Sequence, residues 1–87
     1  MRYKANKIVK KIEKVKNRVD KQLTGKQSYD IGLIAEFTKE MQEIERLALQ
    51  SCTDDEIENI KAHMEEVYGI INGAYSITIQ TMYRGGT

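Results

Sequence analysis

The stretch Glu66-Val67-Tyr68-Gly69-Ile70-Ile71-Asn72-Gly73-Ala74-Tyr75-Ser76-Ile77-Thr78-Ile79-Gln80 decides the fold of this chain, because it supports two incompatible readings. Asn72-Gly73 is a dipeptide favoured in two-residue β-hairpins, and Tyr75 to Ile79 alternate apolar and polar in the manner of a strand. Against this, an apolar stripe at Ile57, Ile60, Met64, Val67, Ile71 and Ala74 advances in steps of three and four and passes Gly73 without a break in phase. An isolated two-stranded hairpin is also marginal in water. The continuous helix is therefore the reading adopted, with a hairpin over residues 66–80 as its competitor.

Upstream of this stretch, Thr53-Asp54-Asp55-Glu56 matches the capping box, in which threonine and the glutamate three residues later satisfy each other's backbone amides. Three acids in the first turn also complement the helix dipole. A helix therefore starts at about residue 54. The preceding segment carries its own stripe, Ile34, Phe37, Met41, Ile44 and Ala48, with Ser28 and Asp30 as candidate N-caps. Glu36, Glu40 and Glu43 form an acidic row beside that stripe. In the first segment Ala5, Ile8, Ile12, Val15 and Val19 repeat at helical spacing, with Val9 and Leu23 alongside, until Thr24-Gly25 stops the helix.

Charge is segregated along the chain. Residues 1–26 hold ten of the fourteen Lys and Arg against only Glu13 and Asp20, about +8, whereas residues 27–87 carry four cations against eleven acids, about −7. The basic surface comprises Lys4, Lys7, Lys10, Lys11, Lys14 and Arg18. It either meets phosphates or folds against the acidic remainder. Lysine predominates, Tyr3 is the only aromatic nearby, and base readout leans on Arg, Asn and Gln, so nucleic acid is the alternative partner and not the first.

Catalytic chemistry finds little support. His63 has Glu66 one turn away but no further ligand at metal-binding spacing, and Cys52 has no histidine near it in sequence. The acids at 54–58 lack the alternate spacing and glycine of a calcium loop, and no glycine-rich phosphate loop occurs. No catalytic residue, metal or cofactor is expected. With one cysteine, no signal-like apolar run and no membrane span, the expected location is a reducing cytoplasm.

These features predict an all-α fold: helices at about 3–23, 29–51 and 54–83, and a frayed tail at 84–87, in one domain covering 1–87. The helices pack as an antiparallel bundle or as a coiled-coil-like homodimer sharing the long third helix. Tyr68, Tyr75 and Met82 recur every seven residues on one flank of that helix and Ile70 and Ile77 on the other. These five are the predicted partner or dimer interface, since Tyr and Met are enriched in protein interfaces. Gly69, Gly73 and Ser76 line the far side and suggest a close contact or a bend. The expected function is a small non-enzymatic interaction module, an adaptor, regulator or inhibitor, with an acidic protein or a second copy as partner. Its size and lysine content fit bacterial or phage accessory products, and the alternative is a nucleic-acid binder using the basic helix.

Overall fold

A computed structural model describes residues 2–85 of the chain. Its elements are α1 (Arg2–Gln22), α2 (Ile31–Ser51) and α3 (Asp54–Gly85), each packed against the other two, with no strand among the described residues. Residues 66–80 lie wholly inside α3, and burial shows why the hairpin loses. Thr78 is 1% exposed while Ile77 is 42% exposed. A strand would bury the isoleucines and expose the threonine; the helical phase of Val67, Ile71 and Ala74 carries Thr78 inward instead.

The core is the three stripes brought together. α1 and its end contribute Ile8, Ile12, Val15, Val19 and Leu23; α2 contributes Ile34, Phe37, Met41, Ile44 and Ala48; α3 contributes Ile60, Met64, Val67, Ile71 and Ala74, all 8% exposed or less. Equal shares at helical spacing are what three long amphipathic helices need to bury one seam each. Polar contacts fix which helices are neighbours. The Arg18 guanidinium donates to both Glu40 carboxylate oxygens at 2.9 and 3.1 Å and lies 5.1 Å from the centre of the Phe37 ring, so α1 grips α2 through one side chain. Of the acidic row on α2, Glu40 makes this contact. Lys16 reaches Glu66 on α3 at 2.7 Å.

Both ends of the bundle are closed by local chemistry. Gly25 takes φ +82°, a left-handed geometry that glycine adopts without strain, and the Thr24 hydroxyl donates to the Asp20 carbonyl. α2 begins two residues later than the sequence suggests. Asp30 has extended backbone and accepts the Gly32 N–H at 2.9 Å, while the Tyr29 N–H is already committed to Thr78 Oγ1 at 2.9 Å. The Thr81 hydroxyl donates to the Gln27 carbonyl at 2.6 Å, so the 23–30 turn is fastened to α3 at two points. At the other end the capping box is formed: Thr53 N–H donates to Glu56 Oε1 at 2.9 Å and Glu56 N–H to Thr53 Oγ1 at 3.3 Å.

The molecule measures 53 × 19 × 18 Å. At about 1.5 Å per residue, the 32 residues of α3 span roughly 48 Å and the 21 of α1 or α2 roughly 32 Å, so α3 alone sets the long dimension. It continues two residues past the expected end at 83, with Arg84 in its last turn where a cation suits the dipole. Of the tail expected to fray, Arg84 and Gly85 are helical, and residues 86 and 87 lie outside the described residues.

Candidate functional site

The surface of α3 changes character along its length. Its first half carries Asp54, Asp55, Glu56, Glu58, Glu65 and Glu66, but residues 67–83 are seventeen consecutive positions without a Lys, Arg, Asp or Glu. Within that run the five predicted interface residues divide into two groups. Tyr68 and Ile70 are half-buried and pack partly on the bundle's own core. Burial raises the Tyr68 hydroxyl pKa, and the neighbouring Glu45 carboxylate adds to the rise. Tyr75, Ile77 and Met82 are exposed at 48%, 42% and 58%. The first pair thus packs partly within the bundle, and the last three lie on the surface.

Two further apolar groups join those three. Tyr83 is 77% exposed and shares a hollow with Ile79 and Met82, and Ile31 is exposed at the start of α2. Because α2 runs antiparallel to α3 and the Tyr29 amide is held by Thr78, the first turn of α2 sits at the same end of the bundle as the last turns of α3. One end of the rod thus gathers Ile31, Tyr75, Ile77, Met82 and Tyr83. Sequence reasoning missed Ile31, Ile79 and Tyr83. The uncharged run at 67–83 was a readable signal for the two on α3, whereas Ile31 required the helix register.

Gly69 and Gly73 face outward. A methyl group built on either would meet no atom within 4 Å, so no close packing within the chain uses them. The candidate chemical groups are also placed. Cys52 caps the C-terminus of α2, half-buried, where burial raises its thiol pKa, Glu56 raises it further, and Lys4 offsets part of the rise. A raised thiol is protonated and a poor nucleophile at neutral pH. His63 is half-buried on α3, and among the described residues no group of three or more His, Cys, Asp or Glu is arranged to hold a metal ion.

The basic residues Lys4, Lys7, Lys10, Lys11 and Lys14 are exposed along α1. Lys16, whose pKa is raised mainly by its hydrogen bond to Glu66, and Arg18, held by Glu40, are drawn into ion pairs with other helices. No helix among the described residues is long and apolar enough to cross a membrane. No protein-family model, curated protein or solved structure matches the chain.

Proposed function

We propose that this protein is a small non-enzymatic interaction module that works by docking a protein on the apolar end of α3, with a second copy of itself as the first occupant. The observation carrying the proposal is the coincidence, at one end of the rod, of the uncharged run 67–83 with exposed Tyr75, Ile77, Met82 and Tyr83. An exposed apolar patch of this kind marks an association site more often than a free surface, and Tyr and Met are residues that interfaces favour. The absence of charge suits self-association in particular. Two copies related by a two-fold axis bring like surfaces together, which costs nothing electrostatically when those surfaces are neutral. Tyr75 and Met82 on one flank and Ile77 on the other supply the aromatic and aliphatic anchors, with Tyr75 as the centre. An adaptor or inhibitor built this way acts by occupying its partner's surface, and needs no reaction centre.

Light scattering coupled to size exclusion tests this directly. The wild-type chain is expected at twice its 10.0 kDa mass, and Tyr75→Glu at the monomer mass with unchanged helical circular dichroism. A wild-type protein that stays monomeric at about 100 μM, or a Tyr75→Glu variant that remains dimeric, would defeat the proposed occupant.

A further inference from the structure

We propose that the outer face of α1 is a binding site for the phosphate backbone of double-stranded nucleic acid, read without regard to base sequence. Lys4, Lys7, Lys11, Lys14, Arg18 and Lys21 follow one another in steps of three, four, three, four and three, the same period as the buried seam. They therefore form a straight row. At about 1.5 Å per residue the row spans roughly 26 Å, with one cation about every 5 Å, and Lys10 widens it on the side away from α2.

Glu40 of α2 closes on that row at Arg18. Glu13 and Asp20, the only acids of α1, are the ones whose charge reaches Lys16, on the flank that turns toward α3 and Glu66. The acids opening α3 lie on that flank too, with Asp55 and Glu56 lining a hollow against Ala5, Asn6 and Val9. Beside Lys4 and Lys11, α2 presents Leu47 and Ser51. A second hollow on the outer face is walled by Asn6 and four lysines alone.

The geometry also selects the partner. Ile8, Ile12, Val15 and Val19 are at most 4% exposed, so α1 has no apolar face left to insert into lipid. Beside the row the structure exposes Leu47 at 40%, far less apolar surface than the roughly 800 Å² that a protein interface buries on each partner. Among its described side chains there is no aromatic to stack an unpaired base. α1 is flanked by two helices in a rod 19 × 18 Å across, wider than a major groove of about 12 Å, and the Arg18 guanidinium is occupied by Glu40 and Phe37. What remains is a long row of lysines, Lys4, Lys7, Lys11, Lys14 and Lys21, matched to a duplex that offers one negative charge per about 1.7 Å of its axis.

The test is fluorescence anisotropy of a labelled random-sequence duplex of 24 base pairs, titrated with the full chain between 50 and 200 mM salt. About five phosphate contacts predict a log–log salt slope near −4.5, a loss of roughly 500-fold in affinity across that range. Lys11→Gln should reduce the slope's magnitude by about 0.9, and Lys7→Gln with Lys11→Gln and Lys14→Gln by about 2.7, while Lys39→Gln on α2 should leave it unchanged. Phosphatidylserine vesicles and polyglutamate, matched to the duplex in charge, serve as competitors and should compete weakly. No binding at 50 mM salt, a slope the lysine variants do not change, or equal competition by vesicles or polyglutamate would overturn the proposal.

Discussion

Thr78 sits among aliphatic side chains at 1% exposure, and its hydroxyl oxygen accepts the backbone N–H of a residue 49 positions earlier, Tyr29, at 2.9 Å. This bond fixes where the 23–30 turn meets α3. Thr78→Val keeps the shape of the side chain but strands a half-buried amide, so it is expected to lower stability by about 1–3 kcal/mol in urea denaturation, while Thr78→Ser retains the bond and most of the stability. The pairing is invisible in the sequence, where Thr78 reads only as the polar member of an alternating run. A second residue-scale prediction concerns pH. Lys16 lowers the Glu66 carboxyl pKa, mainly by its hydrogen bond, and is itself raised by Glu66. Stability from this pair is present between those two displaced values. It is lost as pH falls through the lowered value of Glu66, and again as pH rises through the raised value of Lys16. Wild type should therefore melt slightly above Glu66→Gln at pH 7, and the gap should close as pH falls through the lowered value of Glu66 and shrink in high salt. A gap that widens with acid would contradict the assignment.

At the scale of the element, α3 is a helix that carries glycines it does not need for packing. Gly69 and Gly73 meet nothing within 4 Å on their outer side and have ordinary helical backbone, so alanine at either should stabilise the monomer by about 1 kcal/mol, a rise of roughly 4–8 °C in melting temperature for a domain this size. Loss of stability would mean that this face is covered by something outside the chain. The helix itself was legible because the stripe from Ile57 to Ala74 keeps one period through Asn72-Gly73, and its start because Thr53 and Glu56 are three apart. The start of α2 was less so. Two residues were misassigned there because the Tyr29 amide, which a local reading gives to the helix, is taken by Thr78. The candidate surface was legible in part for a similar reason: a seven-residue repeat picks out Tyr68, Tyr75 and Met82 alike, but only the packed bundle shows that Tyr68 is half-buried beside Glu45 while the other two are exposed at 48% and 58%.

For the whole molecule, the charge segregation evident in the sequence is resolved by partition. Lys16 and Arg18 cross to the acidic helices, and the exposed lysines of α1 keep to the outer face. The rod thus has one cationic side and an apolar end at a different position. The apolar end is the more consequential, because α3 outruns α1 and α2 by roughly 16 Å and its last turns are covered on one side alone, by the 23–30 turn at Thr78 and Thr81. Helical turns with little packing open readily. Amide hydrogen exchange of residues 75–83, followed from low micromolar to near-millimolar concentration, measures whether a second copy covers the other side. The account predicts fast exchange when dilute and strong, concentration-dependent protection at the high end, with residues 60–71 protected throughout. Exchange in 75–83 that is the same at every concentration would contradict it.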